Sequence, residues 1–448
     1  MNFHNYKDHR SAIEKQYGRY YKDYPFAFFL LDYMVQLKVH KQFDGHWVSA
    51  DLDLFRYTNS VLKRDLLTRV YCCYVRFASF SLRPFRKKFT LHTCFDDEKF
   101  PGLNKIIKKV ADENDWNISL QPTRDTSLWD LLSLKSISPY RCFISNKTKF
   151  LFSKFATSDE DEWHRLLNDG PFMSRLDASV KCDVGFTSKL VKRLGIDIFI
   201  NTGDSSGNAR VLIESAKYVE AKTVSIAHGY FGEEALLGVA PIRSDKLILW
   251  TEKQVNDMSK VISPEEVQKL SYVGFLKDFG STDLVNNQDV ALILMGLIRG
   301  IVENKRSRLV FLEVIDALKK VSPKVLLRLH PNERQGVPVI DKFVSENKLN
   351  VSEGDLRSDI AVASYIVGAN TSTLVEAVAS GRKVYEIEEL AVPGLSYEGT
   401  IKIKTNAIYA IDRVFDGSFA NGHLRFDEQQ VGENLTALFL SLKKSRSN

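Results

Sequence analysis

Short apolar runs alternate with amphipathic stretches along most of the chain. From residue 89 onwards, each run of mainly aliphatic or aromatic residues leads into a polar segment, which is often followed by apolar residues at helical spacing. Buried strands alternating with helices are typical of parallel sheets covered by helices, so the pattern predicts an α/β fold. The predicted strands are Phe89–Cys94, Trp116–Leu120, Arg141–Ser145, Ile196–Ile200, Lys222–Ile226, Asp245–Trp250, Ser271–Phe275, Val290–Met295, Lys324–Leu329, Leu349–Ser352, Tyr365–Val367 and Lys383–Ile387.

The number of predicted elements requires more than one domain. At 448 residues the chain is too long for one ordinary domain and suits two of moderate size. We predict a Rossmann-like domain over 1–242, helix-rich in 1–90, and a second Rossmann-like domain over 243–424. The boundary rests on the positions of the motifs, because no linker composition marks it. Residues 425–448 carry apolar positions at helical spacing and predict a C-terminal helix that packs back on the first domain.

A hydroxyl-rich turn stands between a predicted strand and a predicted helix near residue 370. The strand ends at Gly368, and Thr371, Ser372 and Thr373 follow before the helix begins. A helix N-terminus at the carboxyl end of a parallel strand is where anions bind in such sheets. The alternative is that the hydroxyls only cap the helix. Thr373 and Glu376 have the spacing of a capping box, so Glu376 is expected to be its partner.

A second polar loop precedes this turn along the chain. The strand ending at Leu329 carries Arg328 and leads directly into His330. A cation and an imidazole at one strand end, with hydroxyls at another, predict a pocket that binds phosphate. After the predicted strand Val290–Met295, Gly296 and Gly300 lie close to Arg299, which suggests a further turn that approaches phosphate.

Taken together, these motifs resemble those of bacterial two-Rossmann (GT-B) glycosyltransferases. A His-Pro pair after a buried strand, followed by a Ser/Thr-rich turn and an EA-x-x-x-G helix, is similar to the enzymes that build capsules and lipopolysaccharide from CMP-activated sugars, the Kdo transferases and sialyltransferases. The resemblance covers about residues 245–390. It implies two Rossmann-like domains facing a cleft, the second binding the nucleotide sugar. Arg328 stands where capsule Kdo transferases tend to have lysine, which leaves the donor open.

The first domain supplies the candidates for proton transfer or nucleophilic attack. Asp204 follows one predicted strand in a Gly- and Ser-rich loop, and His228 and Glu233 follow the next strand. A carboxylate there could deprotonate the acceptor hydroxyl or attack the anomeric carbon. The alternative for Asp204 is a helix cap. The His-Gly pair at 228 resembles an element of several surface-polymer transferases.

The resemblance implies a glycosyltransferase that moves a sugar from a CMP-activated donor, Kdo before sialic acid, to a capsule or lipopolysaccharide glycan. Arg328, His330, Thr371–Thr373 and Glu376 would bind the donor, without metal and with no cofactor besides the nucleotide sugar. Three alternatives stay open: a CDP-alditol phosphotransferase of surface polymer synthesis, an enzyme like UDP-GlcNAc 2-epimerase, and a non-catalytic glycan-binding protein.

Composition excludes some classes of protein and bears on where in the cell the protein is found. The net charge of +6 does not indicate nucleic-acid binding, and five cysteines without regular spacing argue against a disulfide framework or a zinc ribbon. Neither a signal peptide nor an apolar run of about 20 residues is present, so we expect a cytoplasmic protein. Residues 1–90 interleave basic and aromatic side chains. They predict either contact with the inner face of the cytoplasmic membrane or aromatics packed inward beneath a solvated basic face.

Overall fold

The computed structural model forms two compact units. It describes residues 6–32, 35, 88–94, 100, 102–119, 145–157, 159–202, 207–227, 229–230, 241–277, 290–296, 298–330, 333, 337–391, 397–410, 424 and 426–444. The first unit comprises residues 1–228, 235–273 and 428–448, and the second comprises 229–234 and 274–427. The predicted strand over Arg141–Ser145 lies almost entirely outside the described residues.

The first unit contains a six-stranded parallel sheet. Its strands are β1 (Thr90–Cys94), β2 (Asn117–Ser119), β3 (Ile198–Thr202), β4 (Lys222–Ile226), β5 (Lys246–Leu249) and β6 (Leu270–Tyr272). They lie in the order β2-β1-β3-β4-β5-β6. The strand at 246, which we expected to open the second domain, pairs instead with β4, with Val224 opposite Lys246. The units therefore divide after residue 273 rather than at 242.

Besides the helical residues 25–32, the first unit has helices before and between these strands. They are α1 (Tyr6–Asp23), α2 (Leu103–Glu113), α3 (Asn146–Thr157), α4 (Glu160–Asn168), α5 (Gly170–Leu194), α6 (Gly207–Lys217), α7 (Glu252–Ser259) and α8 (Pro264–Val267). Their ends follow local chemistry. The Asp159 side chain accepts a hydrogen bond from the backbone N–H of Glu162 and begins α4. Gly195, at φ 61°, ends α5 in the left-handed region.

The aromatic residues of the described N-terminal segment pack inward. Tyr17 and Phe28 are 1% exposed and join a core formed with Phe155, Trp163 and other apolar residues of α3, α4 and α5. Lys15, Arg19 and Lys22 on α1 remain at the surface. Within 6–32, these aromatic residues therefore pack as the inward-packing interpretation expects, and contact with a membrane stays a prediction. No helix among the described residues combines the length and the apolarity needed to cross a bilayer.

The second unit contains another parallel sheet of six strands. They are β7 (Val290–Met295), β8 (Lys324–Arg328), β9 (Asn350–Val351), β10 (Tyr365–Ala369), β11 (Val384–Ile387) and β12 (Ile401–Ile403). Their order is β12-β11-β10-β7-β8-β9. With β7 counted as the first strand, this is the 3-2-1-4-5-6 order of the Rossmann fold. The predicted α/β fold with two Rossmann-like sheets is confirmed.

Helices and a 3₁₀ turn complete the second unit. They are α9 (Ile298–Glu303), α10 (Lys305–Val321), α11 (Pro338–Glu346), α12 (Leu356–Val362), α13 (Thr373–Ala379) and the 3₁₀ helix Thr405–Ala410. The side chains of β7 are all buried, and Phe311 of α10 stacks against Phe343 of α11 in the same core. A strand buried on both faces reads as a continuous apolar run, which is why β7 was visible in the sequence.

The last helix, α14 (Glu428–Lys444), belongs to the first unit. It packs on α2, where Gly432 lies against Ile106 and Val110. The ring of Phe439 lies 6.4 Å from that of Trp116. α14 therefore completes the hydrophobic core beside β2, although more than 150 residues separate it from β6, the last strand of the first sheet.

Candidate functional site

The centre of the second sheet is the point at which its strand order reverses. β7 and β10 lie side by side there, and the chain proceeds from them toward opposite edges of the sheet. In open α/β sheets, ligands bind outside the carboxyl ends of the strands at this switch point. The loops that follow β7, β8 and β10 therefore form the candidate site, because the three strands are neighbours.

Two glycines allow the backbones of β7 and β10 to meet closely. Gly368 pairs with Leu294, and a Cβ added to Gly368 would overlap the carbonyl oxygen of Leu294. One step beyond the strands, the N–H of Gly296 donates to the carbonyl of Ala369 at 3.0 Å. A Cβ on Gly296 would overlap the carbonyl oxygen of Asn370. The turns after β7 and β10 are thus in direct backbone contact.

The turn after β10 presents hydroxyl groups at the start of α13. Asn370 adopts a left-handed conformation with φ 56°, and its amide donates to the carbonyl of Leu390 at 2.6 Å. The hydroxyl of Thr371 donates to that of Thr373 at 3.1 Å and accepts the Thr373 N–H at 3.3 Å. Ser372 is the N-cap residue, yet its side chain makes no capping hydrogen bond. All three hydroxyl residues are half-buried.

The expected capping box at α13 does not form. Glu376 is buried and binds the ammonium group of Lys277 instead of capping the helix with Thr373. Both side chains of this ion pair are largely shielded from water, at 13% exposure for Lys277 and 7% for Glu376. A buried charge needs a partner. Lys277 thus balances the charge of Glu376 in the first turn of α13.

Arg328 is engaged by the protein itself. Its guanidinium forms an ion pair with Asp359 of α12 and donates to the carbonyl of Gly354 at 2.9 Å. The Asp359 carboxylate also accepts a hydrogen bond from the hydroxyl of Ser352, whose oxygen lies 2.7 and 2.6 Å from the two carboxylate oxygens. The arginine charge is balanced within this network, which joins β8 to β9 and α12. Arg328 stands at the end of β8 as expected, but its charge is paired with Asp359, which the sequence did not indicate.

His330 follows β8 and is half-buried. Because Leu294 lies opposite both Arg328 and Gly368, the chain after β8 and the chain after β10 leave the sheet at the same level. With β7 between them, the backbones of His330 and Asn370 are about 10 Å apart, or two strand spacings. Burial lowers the pKa of His330 from its ordinary 6.5, so the imidazole is mainly neutral at pH 7.

A buried carboxylate ties the His330 loop to the turn after β7. Glu333 is 4% exposed, and its carboxylate accepts the backbone N–H of Ile298 at 3.0 Å and that of Arg299 at 2.8 Å. It also accepts the backbone N–H of His330. The Glu333 N–H in turn donates to the His330 carbonyl at 2.8 Å. Glu333 thus caps α9, where we had suggested a turn that approaches phosphate.

Gly229 of the His-Gly pair and the next residue, Tyr230, also belong to the second unit. Gly229 lies against Ser372, whose hydroxyl oxygen would be 3.2 Å from a Cβ added to the glycine. The ring of Tyr230 lies 5.4 Å from that of Tyr397. Both tyrosines are buried, and burial raises the pKa of Tyr397, with the negative charge of Glu386 acting in the same direction. Gly229, the residue after His228, is therefore an immediate neighbour of Ser372 in the turn Thr371–Thr373.

The three catalytic candidates, Asp204, His228 and Glu233, lie outside the described residues, and their roles stay predictions. The strands that precede them are adjacent in the first sheet. Thr202 at the end of β3 pairs with Ile226 at the end of β4. The segments that carry Asp204 and His228 consequently begin from neighbouring strands of the first unit.

Comparisons with known proteins concern the fold. No protein-family model matches the sequence, and no curated protein matches it. Among solved structures, the chain is similar to UDP-GlcNAc 2-epimerase from Methanocaldococcus jannaschii, with 14% identity, TM-score 0.46, and coverage of 79% of this chain and 99% of that one. It is also similar to UDP-GlcNAc 2-epimerase from Neisseria meningitidis bound to UDP-GlcNAc, with 13% identity, TM-score 0.45, and coverage of 80% and 99%. A glycosyltransferase from Rickettsia africae gives 12% identity, TM-score 0.41, and coverage of 80% and 97%.

These likenesses are too distant to indicate a reaction, since all three TM-scores are below 0.5.

Two residues of the candidate site were not predicted from the sequence. Lys277 is 99 positions from Glu376, and no local pattern connects them. Glu333 stands three residues after His330 and was visible in the motif, but only the tertiary structure brings α9 to its carboxylate.

Proposed function

We propose that this protein is a glycosyltransferase that takes a sugar from a nucleotide-activated donor. The observation that carries the proposal is the group of polar residues at the switch point of the second sheet: the hydroxyl turn Thr371–Thr373, with His330 two strand spacings away at the same level. The position, rather than the hydroxyls alone, supports a ligand. The Ser372 hydroxyl is not used to cap the helix and is available to a donor phosphate.

Cleavage of a glycosidic bond to a nucleotide leaves negative charge on the departing phosphate. Fixed hydrogen-bond donors that face this charge stabilise the transition state. We assign that role to the hydroxyls of Thr371, Ser372 and Thr373 and to the neutral imidazole of His330, which can donate from one ring nitrogen. Lys277 pairs with Glu376 in the first turn of α13, so we assign it no direct contact with the phosphate.

Glu376 is the acid next to this turn, and in the resembling enzymes an acid close by binds the ribose of the nucleotide. In this chain, Lys277 holds the carboxylate in place through one of its oxygens. We propose that Glu376 accepts a ribose hydroxyl. Arg328 is left out of the proposed donor contacts, because Asp359 and Gly354 engage its guanidinium.

The finer assignment follows from the sequence resemblance. We propose a CMP-activated donor, Kdo before sialic acid, and a capsule or lipopolysaccharide glycan as the acceptor. Asp204, Glu233 and His228 are our candidates for the base or nucleophile. Whether the product inverts or retains the anomeric configuration depends on which of the two roles a carboxylate takes.

A panel of nucleotides separates the proposal from its alternatives. The melting temperature is measured with CMP, CDP, CDP-glycerol, UDP and UDP-GlcNAc. An increase with CMP supports the proposed transferase, whereas an increase only with UDP and UDP-GlcNAc would favour an epimerase. A response only to CDP-glycerol would favour an alditol phosphotransferase. The lack of a response to any of them would favour a non-catalytic glycan-binding protein.

Turnover then tests the site. Purified enzyme is given CMP-Kdo or CMP-sialic acid, and release of CMP is followed by mass spectrometry. Removing one donor to a developing anion typically costs about a hundredfold or more in rate. We therefore expect such a loss in His330→Ala and little change in His164→Ala, a histidine on α4 of the first unit. Unchanged turnover in His330→Ala would remove His330 from the donor site.

A further inference from the structure

The turn after β7 is filled: its backbone N–H groups already bind an anion of the protein itself, the carboxylate of Glu333. In a sheet of this order, the first strand and the helix after it usually provide the backbone N–H groups that bind phosphate. Here those of Ile298 and Arg299 donate to the carboxylate of Glu333 at 3.0 and 2.8 Å. Glu333 is 4% exposed, so this carboxylate is part of the interior of the second unit.

This filled turn is the immediate neighbour of the hydroxyl turn. The backbones of Gly296 and Asn370 touch, and β7 and β10 are adjacent strands, about 4.8 Å apart. A phosphate held by Thr371–Thr373 therefore has the Glu333 carboxylate close by, toward β7. A second phosphate that extended in that direction would find its N–H donors occupied and would meet a charge of its own sign, which is repulsive in a shielded site.

We propose that Glu333 is a specificity-determining residue of the donor site, which makes the site accept one phosphate and disfavour two. This inference rests on the proposed function, because it assumes that a nucleotide binds at the hydroxyl turn. It addresses the choice between a CMP-linked donor, which has one bridging phosphate, and a nucleoside diphosphate donor. The same carboxylate holds the backbone of His330 through its N–H, so the two parts of the site share one anchor.

The test compares affinities for mono- and diphosphates by isothermal titration calorimetry. CMP against CDP and UMP against UDP are measured at one pH and one ionic strength, so that the base cancels within each pair. In the wild type we expect the monophosphate to bind at least tenfold more tightly than the diphosphate. This order is opposite to the simple electrostatic expectation for a chain of net charge +6, which would favour the more negative ligand.

Glu333→Gln removes the charge and keeps the size of the side chain. We expect the ratio of the two dissociation constants to narrow to within about threefold in this variant. The matched control is Glu303→Gln, which makes the same change on α9 in an exposed residue paired with Arg299. It should leave the ratio unchanged. Glu333→Asp, which retains the charge, should keep a preference for the monophosphate.

Three outcomes would overturn the inference. A wild type that binds CDP as tightly as CMP contradicts it, and this measurement needs no variant to fold. A Glu333→Gln protein that folds and keeps the wild-type ratio contradicts it too, although the proposed function would stand. A wild type that binds none of the four nucleotides removes the proposed function, and the inference falls with it.

Discussion

Two turns at the same point of the second sheet use their polar groups in opposite ways. After β7, the first N–H groups of α9 are bound by the carboxylate of Glu333. After β10, the hydroxyls of Thr371 and Thr373 bond to each other, and the Ser372 side chain does not cap α13. The strands are adjacent and parallel, so topology alone would make the two turns equivalent.

The difference shows that a helix N-terminus at a switch point is not by itself a ligand site. Gly296 has the appearance of a phosphate-approaching glycine, yet its lack of a side chain serves the contact with Asn370. What distinguishes the turns is whether another part of the fold supplies an anion. Polar groups that the fold already satisfies contribute to stability, and those it leaves with weak internal partners are the ones a ligand can use.

The largest effect is expected where the two turns are brought together. Gly368→Ala places a Cβ against the carbonyl of Leu294 and so forces β10 away from β7. Because the clash is with backbone in the sheet centre, we expect a loss of about 4 kcal/mol or more in the free energy of unfolding. Chemical denaturation followed by circular dichroism measures it.

Gly185→Ala is the matched control for this substitution. Gly185 lies within α5, and a Cβ there would meet no atom within 4 Å apart from the nearby backbone of its own helix. Alanine in a helix interior is about 0.5–1 kcal/mol more favourable than glycine. The control should therefore be neutral or slightly stabilising. A Gly368→Ala protein as stable as the wild type would show that the two turns are not held together by this contact.

Arg328 extends the comparison to the third strand end. Arg328→Met removes one partner from a largely buried ion pair and leaves Asp359 without its counter-charge. Breaking such a pair typically costs about 3 kcal/mol or more, and we expect a loss of that size in the free energy of unfolding. Double substitution with Asp359→Asn should recover part of it. If Arg328→Met instead kept its stability and lost nucleotide binding, the original prediction of Arg328 as a donor contact would be restored.

Sequence patterns predicted the sheets well because burial on both faces leaves a continuous apolar run. Val290–Met295 is fully buried and was placed within its observed bounds. The domain boundary was placed differently because strand β5 has the same pattern whichever sheet it joins. Its neighbour, β4 or a strand of the second unit, is decided by pairing across the chain rather than by its own residues.

Candidate site residues were predicted only where the chemistry is local. The Thr371–Thr373 turn follows its strand directly, so both could be seen together. Arg328 was expected to face a ligand, because nothing in sequence indicates that Asp359, 31 positions later, binds it. Glu376 was assigned to a capping box for the same reason, since its partner Lys277 comes from the start of the second unit. Ion pairs between residues far apart in sequence cannot be predicted from the spacing of apolar and polar residues.

A smaller loss of stability is expected when the anion after β7 is removed. Glu333→Ala leaves the N–H groups of Ile298, Arg299 and His330 without their acceptor. An unsatisfied buried donor costs roughly 1–3 kcal/mol, and water that enters the vacated volume offsets part of this. We expect a net loss of about 2 kcal/mol by chemical denaturation. A change below about 0.5 kcal/mol would mean that the cap does not stabilise the turn.

The pH dependence of stability reports on the same carboxylate. Burial raises the pKa of Glu333 from its ordinary 4.5, although the N–H groups that it accepts act in the opposite direction. The folded state thus binds this proton more tightly than the unfolded state does. The contribution of Glu333 is then largest below its ordinary pKa and declines as the pH rises through the raised value.

Glu333→Gln lacks this titration and provides the reference. The free energy of unfolding is measured for both proteins from pH 4 upward, in steps. We expect the wild type minus variant difference to decrease as the pH rises through the raised pKa and then to level off. A difference that increases with pH would show that the N–H groups outweigh burial and hold the pKa low.

The smallest effect on stability is expected at the turn after β10. Ser372→Ala removes a hydroxyl that makes no capping bond to α13, so we expect the free energy of unfolding to change by less than about 0.5 kcal/mol. Ser372 lies against Gly229, and alanine keeps the Cβ of that contact. If the hydroxyl serves a ligand, the same variant should bind CMP several-fold more weakly by calorimetry. A Ser372→Ala protein that loses about 1 kcal/mol or more of stability and keeps its affinity would make the two turns alike, both of them serving only the fold.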